Sequence, residues 1–258
     1  MCRFTLYVGP PIRLGTLLCE KDHSLVEQSA RSAEREDPLN GDGFGVGWYN
    51  HELAAEPAVF RSVTPAWNNR NFANLARVLS SNCILAHVRA ATQSSGVNEA
   101  NCHPFRFGRY AFAHNGDVGN FARVRRRLIE SVSDEAHNNV FGSTDSEHVF
   151  ALFIDELARR KELDPALRLG RALDAAIART VEAVARHGGG EPSYLNLVVT
   201  DGDYAAASRF SNHPEGQPES LYVGTASVSS ATRAEPRRAG DARDTLGVVV
   251  SSERLDGH

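Results

Sequence analysis

Cysteine is scarce in this 258-residue chain: four are present, at positions 2, 19, 83 and 102. None belongs to a Cys-x-x-Cys pair or has a histidine at zinc-ligand spacing, so neither a disulfide framework nor a metal centre is expected. Charge of one sign is also missing, since 28 Lys and Arg face 32 Asp and Glu for a net −4. That balance argues against nucleic acid as a main partner. Apolar runs are short, far below the roughly 20 residues needed to span a bilayer. The start, Met-Cys-Arg-Phe-Thr-Leu-Tyr-Val-Gly-Pro-Pro, lacks the basic and apolar regions of a secretory leader, so a cytoplasmic protein without a membrane partner is expected. In a reducing compartment Cys19 and Cys83 read as small buried side chains.

What is present is an ordinary globular composition, 41% hydrophobic and 23% charged, in a chain long enough to bury a core without staples. Arg3 to Val8 is β-rich and ends at Gly9-Pro10-Pro11. Ser24 caps a short helix, and Asp37 to Gly43 is dense turn chemistry. Phe44 to Tyr49 reads as a strand in which Gly45 and Gly47 mark close approach of another backbone or a ligand. Further strands are expected at Ala58 to Val63 and Tyr110 to His114, the latter closed by Asn115-Gly116. Cys83 to Val88 is almost wholly apolar, as in a strand buried on both faces. Helices are expected at Phe72 to Leu79, Phe121 to Val132, after the capping signature Thr144-Asp145-Ser146-Glu147, and from Pro165 to Arg186 before Gly188-Gly189-Gly190. Tyr194 to Thr200, Tyr204 to Ser208, Leu221 to Val223 and Gly247 to Ser251 complete the strands, and Ser230 to Thr245 reads as a surface loop. Strands, central helices and strands again predict a single domain over residues 1–258, with two sheets face to face and helices outside.

The chemistry gathers at a few turns. Removal of Met1 ahead of a small second residue makes Cys2 the mature N-terminus, with thiol and α-amine on one residue. The amine, of ordinary pKa about 7.7–8.0, can take the proton of a thiol near 8.5, which activates the nucleophile without a separate base. At Ala113-His114-Asn115-Gly116-Asp117 an Asn amide and a Gly N–H can both face an oxyanion, although Asn-Gly is also a common turn. Arg89 ends the apolar strand, where its fork can bind a carboxylate. Asp145 opens a helix, where it either caps or binds an ammonium group. His87, His103 and His114 read as structural hydrogen-bonding residues, and Phe44, Trp48 and Tyr49 as core.

Together, Cys2-Arg3, Asn40-Gly41-Asp42-Gly43-Phe44-Gly45-Val46-Gly47-Trp48-Tyr49, Ala86-His87-Val88-Arg89-Ala90-Ala91-Thr92, Asn101-Cys102-His103-Pro104-Phe105, Ala113-His114-Asn115-Gly116 and Ser143-Thr144-Asp145-Ser146-Glu147 resemble the class II glutamine amidotransferase family, over about the first 150 residues. Within it the chain resembles free-standing γ-glutamyl hydrolases such as the ergothioneine-pathway enzyme. The resemblance implies an α+β, four-layer αββα sandwich of two mainly antiparallel sheets, the N-terminal nucleophile hydrolase fold. It implies Cys2 as nucleophile, Asn115 and Gly116 as oxyanion hole, Arg89 for the substrate α-carboxylate, Asp145 for its α-ammonium, and Thr92 lining the carboxylate pocket. No cofactor is implied. Ala90 and Gln93 stand where sugar-amidating members commonly have an aromatic residue and a histidine, which implies a wider glutamyl pocket and places glutamine itself in doubt as natural substrate.

The expected function is therefore hydrolysis of a γ-glutamyl amide through a thioester on Cys2, with a small γ-glutamyl molecule as partner. Two alternatives stay open: a glutaminase subunit serving a separate synthase or peptidase subunit, and an inactive binding or regulatory subunit. An acylated Cys2 serving as a membrane anchor lacks the apolar leader or basic cluster it needs.

Overall fold

The computed structural model describes residues 2–34, 38–91, 96–228 and 245–256. The chain order is β1 (Arg3–Arg13), α1 (Leu14–Leu18), α2 (Leu25–Ala30), β2 (Phe44–Trp48), β3 (Ala58–Ser62), α3 (Arg70–Ala76), β4 (Ser80–Val88), β5 (Phe105–Phe107) and β6 (Tyr110–Asp117). Four helices follow, α4 (Phe121–Ile129), α5 (Asp134–His137), α6 (Asp145–Ala158) and α7 (Pro165–His187). The chain then returns to strands with β7 (Tyr194–Thr200), β8 (Ala205–Ser208), β9 (Tyr222–Val228) and β10 (Thr245–Ser251).

Two antiparallel sheets result, one ordered β3-β2-β4-β1-β10-β9 and the other β5-β6-β7-β8. Side-chain alternation along the strands sorts the apolar residues into three cores. Phe4, Leu6, Cys83, Leu85, Ala111, Ala113 and Val198 pack between the sheets. Tyr7, Phe44, Val46, Ile84, Ala86 and Val88 face outward, where Leu17, Leu25 and Phe72 of α1, α2 and α3 cover them. Phe112, Leu195, Leu197 and Val199 meet Phe150, Phe153, Leu173 and Ala176 of α6 and α7 on the far side. Helix, sheet, sheet, helix: the four-layer α+β sandwich is present.

From Cys83 to Val88 strand β4 is almost wholly apolar because it is central and covered on both faces, as its sequence predicts. Helix α6 is buried almost all round for a related reason. It packs on the sheet with α4 and α7 beside it, and Phe150 stacks on Phe112 at 4.9 Å and 18°. Its acidic end is neutralised by Arg179, whose guanidinium reaches Asp155 at 2.7 Å and Glu156 at 2.9 Å.

Several expectations need correcting. Strand β1 does not stop at Gly9-Pro10-Pro11; it continues to Arg13 through a register shift between Val8 and Ile12, a bulge of the kind that accommodates proline in a strand. Strand β6 runs through Asn115-Gly116 instead of closing there, because Asn115, Gly116 and Asp117 pair with Asn196, Leu195 and Tyr194 of β7. Cys19 is exposed, since it follows α1 at the surface, whereas Cys83 and Cys102 are buried. The close approach expected at Gly45 is real: a β-carbon there would lie 2.2 Å from the His103 carbonyl oxygen. Most of the loop expected at Ser230 to Thr245 lies outside the described residues.

Candidate active site

The site is assembled from strand ends. In the β1–β4 pairing Arg3 faces Val88 and Phe4 faces His87, so continuing the register by one residue sets Cys2 opposite Arg89. Phe4 and Leu85 point between the sheets, and the two-residue period sends Cys2 and Arg89 the same way. On the facing sheet Ala111 and Ala113 mark the inward side of β6, which therefore includes Asn115. A contact across the gap fixes the alignment: His87 Nε2 lies 3.2 Å from the carbonyl oxygen of His114. Cys2, Arg89 and Asn115 thus meet at one end of the space between the sheets.

The Cys2 thiol is half-buried and donates to the Ala90 carbonyl oxygen at 3.6 Å. Arg89, almost fully buried, is set by the turn before β2. Its N–H donates to Gly43 O at 2.8 Å, its carbonyl accepts from the Asp42 N–H at 3.0 Å, and the Asp42 carboxylate accepts from the Ala91 N–H at 2.8 Å. The Asn40–Gly47 motif is thus a clamp on the arginine. Cys102 is a close electrostatic neighbour. Burial pushes its thiol pKa up, while Arg89 and Arg61 oppose the shift and Glu99 and Cys2 add to it.

Asn115 is fully buried, and neither atom of its amide has a hydrogen-bond partner among the described residues. At Gly116 the φ of +152° would set a β-carbon 1.8 Å from the Tyr194 carbonyl oxygen, which restricts the position to glycine. His114, between the strand and α6, lies 3.0 Å from Tyr194 O through Nε2 and 2.9 Å from Ser146 Oγ through Nδ1. A carbonyl only accepts, so Nε2 carries a proton, while the Ser146 hydroxyl donates to Asp145 Oδ1 at 3.2 Å.

Asp145 does not cap α6. Thr144 does, accepting from the Glu147 N–H, while Glu147 returns to the Phe141 and Gly142 N–H groups. Asp145 sits in the first turn, where a negative charge is favoured. One of its oxygens accepts from the Val118 N–H at 2.9 Å and the other from the Ser146 N–H at 2.8 Å. This brings it to the end of β6 beside Asp117. Burial, then repulsion from Asp145, pushes the Asp117 carboxyl upward. Two neighbouring carboxylates favour a cation between them.

Thr92 and Met1 lie outside the described residues. His103 departs from expectation: its ring stacks 4.2 Å from His87 and 4.3 Å from Phe105, and neither nitrogen has a partner among the described residues. Burial holds both rings neutral, with His87 pushed down to about 3 and His103 well below its ordinary value.

Sequence reasoning passed over three residues. Asp117 directly follows the Asn-Gly pair. Asn196 is the one amide side chain in the otherwise apolar run Tyr194-Leu195-Asn196-Leu197-Val198-Val199, a signal that could have been read. Glu253 gave no signal, because its partner is at the other end of the chain. The fully buried Arg3 donates from Nε to Glu253 Oε1 at 2.6 Å and from Nη1 to the Cys2 carbonyl oxygen at 3.0 Å. Glu253 also accepts from Ser32, from the Ala33 N–H at 2.9 Å and from the Glu34 N–H at 3.3 Å, and it meets His23 Nε2 at 2.5 Å. Burial would push this carboxyl up, but these hydrogen bonds outweigh it and hold the pKa at about 2.

A half-buried thiol beside a buried guanidinium, with a buried amide on the facing sheet that has no partner among the described residues, has the parts that acyl transfer requires. The chain belongs to the class-II glutamine amidotransferases, whose family model matches residues 17–214. It is 41% identical over 241 residues, 86% of this chain and 67% of the relative, to the probable glutamine amidotransferase DUG3 of Saccharomyces cerevisiae. With the gamma-glutamyl-hercynylcysteine sulfoxide hydrolase of Mycobacterium tuberculosis it shares 31% identity over 66% of this chain and 70% of that protein. Among solved structures it is similar to a glutamine aminotransferase class-II domain protein from Silicibacter pomeroyi, with a TM-score of 0.64 and 29% identity over 96% of this chain and 88% of that one. Among the described residues no helix is long and apolar enough to cross a membrane.

Proposed function

We propose that this chain is a γ-glutamyl amide hydrolase, a single catalytic domain acting on glutamine or a γ-glutamyl conjugate through a thioester on Cys2. The observation that carries the reading is the convergence of Cys2 and Arg89 on one sheet with Asn115 on the other. The membership of the family and the similarity to a γ-glutamyl hydrolase support it.

In this reading the mature Cys2 passes its thiol proton to its own α-amine, and the sulfur attacks the γ-carbonyl carbon. The carbonyl electron pair moves onto oxygen, where Asn115 Nδ2–H and the Gly116 N–H stabilise the charge. Collapse of the intermediate breaks the C–N bond, and the leaving amine takes the proton from the α-ammonium. Water, deprotonated by the Cys2 α-amine, then attacks the thioester carbon; the C–S bond breaks, glutamate leaves, and the sulfur takes the proton back from that α-ammonium. Arg89 holds the α-carboxylate while Asp145, with Asp117 beside it, holds the α-ammonium. These contacts set the carbonyl over the sulfur.

A reduced Cys2 is required throughout, which favours a reducing compartment such as the cytoplasm. The amidotransferase name of the yeast relative favours a second reading, in which the released amine passes to a separate subunit. The test is glutamate release from a panel of γ-glutamyl compounds by the wild type and Cys2→Ala, with an intact mass to establish whether Met1 is absent. Glutamate release by Cys2→Ala at the wild-type rate would refute the mechanism.

A further inference from the structure

The candidate oxyanion donor has an oriented neighbour. Asn196 lies directly across from Asn115 in the β6–β7 ladder, so both side chains stand on the inward face with β-carbons about 4.5–5.5 Å apart. Asn196 is buried, and its Nδ2 is committed, donating to the Glu219 carbonyl oxygen at 2.9 Å and to that of Ser220 at 3.3 Å. Both acceptors are carbonyls, so chemistry fixes which end of this amide is nitrogen. The segment holding them is itself anchored: Ser220 Oγ donates to Ser252 O at 2.8 Å, and Glu219 Oε2 lies 3.7 Å from Arg3 Nη1. Asn196 Oδ1 is consequently fixed in orientation, buried and without a partner among the described residues, as are both amide atoms of Asn115.

From this juxtaposition we infer that Asn196 is a positioning residue that sets the amide of Asn115 with its nitrogen toward the reacting carbonyl. The two amides are not hydrogen-bonded to each other as they stand, but a turn of the Asn115 side chain toward the fixed oxygen lets that oxygen accept one Nδ2 hydrogen and repel Oδ1. The second Nδ2 hydrogen is thereby left for the oxyanion, and the contact tightens as charge develops there. Without Asn196 the Asn115 amide can turn over and present oxygen to oxygen. The inference rests on the proposed function, because it concerns the donor that function assigns.

The test is a double-mutant cycle read in steady-state kinetics on a γ-glutamyl amide. Asn196→Leu in the wild-type background is expected to lower kcat about tenfold with little change in KM, less than the roughly 10²–10³-fold of removing the donor in Asn115→Ala. On the Asn115→Ala background the same change is expected to cost nothing further. Asn196→Asp keeps an acceptor oxygen toward Asn115 and should retain more of kcat than Asn196→Leu, even though it loses the donor to Glu219 and Ser220. Equal losses in both backgrounds, or an Asp variant no better than Leu, overturn the inference and leave Asn196 as a tether of the 219–220 segment. A normal rate in Asn115→Ala alone removes the oxyanion assignment itself, a failure of the proposed function that this single variant identifies.

Discussion

Arg3 and Glu253 meet at 2.6 Å with both side chains withdrawn from solvent. Removing one partner of such a pair leaves a buried charge uncompensated, at a cost of about 3–5 kcal/mol. Glu253→Gln should therefore lower Tm by roughly 10 °C in a chain of this size, as read by calorimetry. Arg3 also holds the Cys2 carbonyl, so kcat should fall at temperatures where the variant is fully folded. An unchanged Tm would refute the structural role.

Stability should fall on acidification in two stages. His87, held at about 3, and His103, held well below its ordinary value, stay neutral in the fold but take protons near pH 6.5 when unfolded. Their contribution is complete above that pH and drains as pH falls. Glu253, held at about 2, adds a loss beginning below its unfolded value near 4.3 and complete near 2, on the order of 3 kcal/mol. Urea midpoints measured from pH 8 to 3 should be level, then slope, then steepen. Glu253→Gln should lack the final steepening.

The four thiols should separate by reactivity. Cys2 is half-buried at the site, whereas Cys19, exposed as a whole residue, has a partly desolvated sulfur beside Glu20, which together push it up to about 11, and burial pushes Cys83 up to about 12. Iodoacetamide at neutral pH should modify Cys2 first, with activity falling in step, because thiolates rather than thiols react. Peptide mass mapping that finds Cys83 modified before Cys2 would contradict this packing.

Arg89 should show its role in substrate selection. Hydrogen bonds to a charged group contribute about 1.5–3 kcal/mol, so Arg89→Ala should lower kcat/KM roughly 10- to 150-fold on substrates with a free α-carboxylate. Substrates with that carboxylate amidated should lose far less. Equal losses on both would point to a damaged fold.

Two glycines should respond in opposite ways. Gly116→Ala drives a β-carbon against Tyr194 O and should cost both activity and Tm. At Gly170, within α7, a β-carbon meets nothing within 4 Å, so Gly170→Ala should stabilise by up to about 1 kcal/mol and leave kcat unchanged. Thermal melts and initial rates on the two variants check both.

Much of this was legible in the sequence. The run Cys83 to Val88 identified a central strand because burial on both faces leaves little room for polar side chains, His87 being the exception, and Arg89 stood out as its charged end. Thr144 and Glu147 announced α6 through local hydrogen bonding. Other features depend on long-range pairing. Asn115-Gly116 is a turn in most contexts and becomes strand here only because β7 supplies partners. Pro10 and Pro11 break strands unless a bulge absorbs them. Asn196 and Glu253 act through residues that only the completed sheets bring near.

Strand β1 carries the Cys2–Arg3 end and is flanked by β4 on one side and β10 on the other. Its second neighbour, β10, is the furthest from it along the chain among the described strands. The thiol is therefore made well before the strand that flanks it. Until β10 has left the ribosome, a nascent chain holds the Cys2–Arg3 end from one side alone.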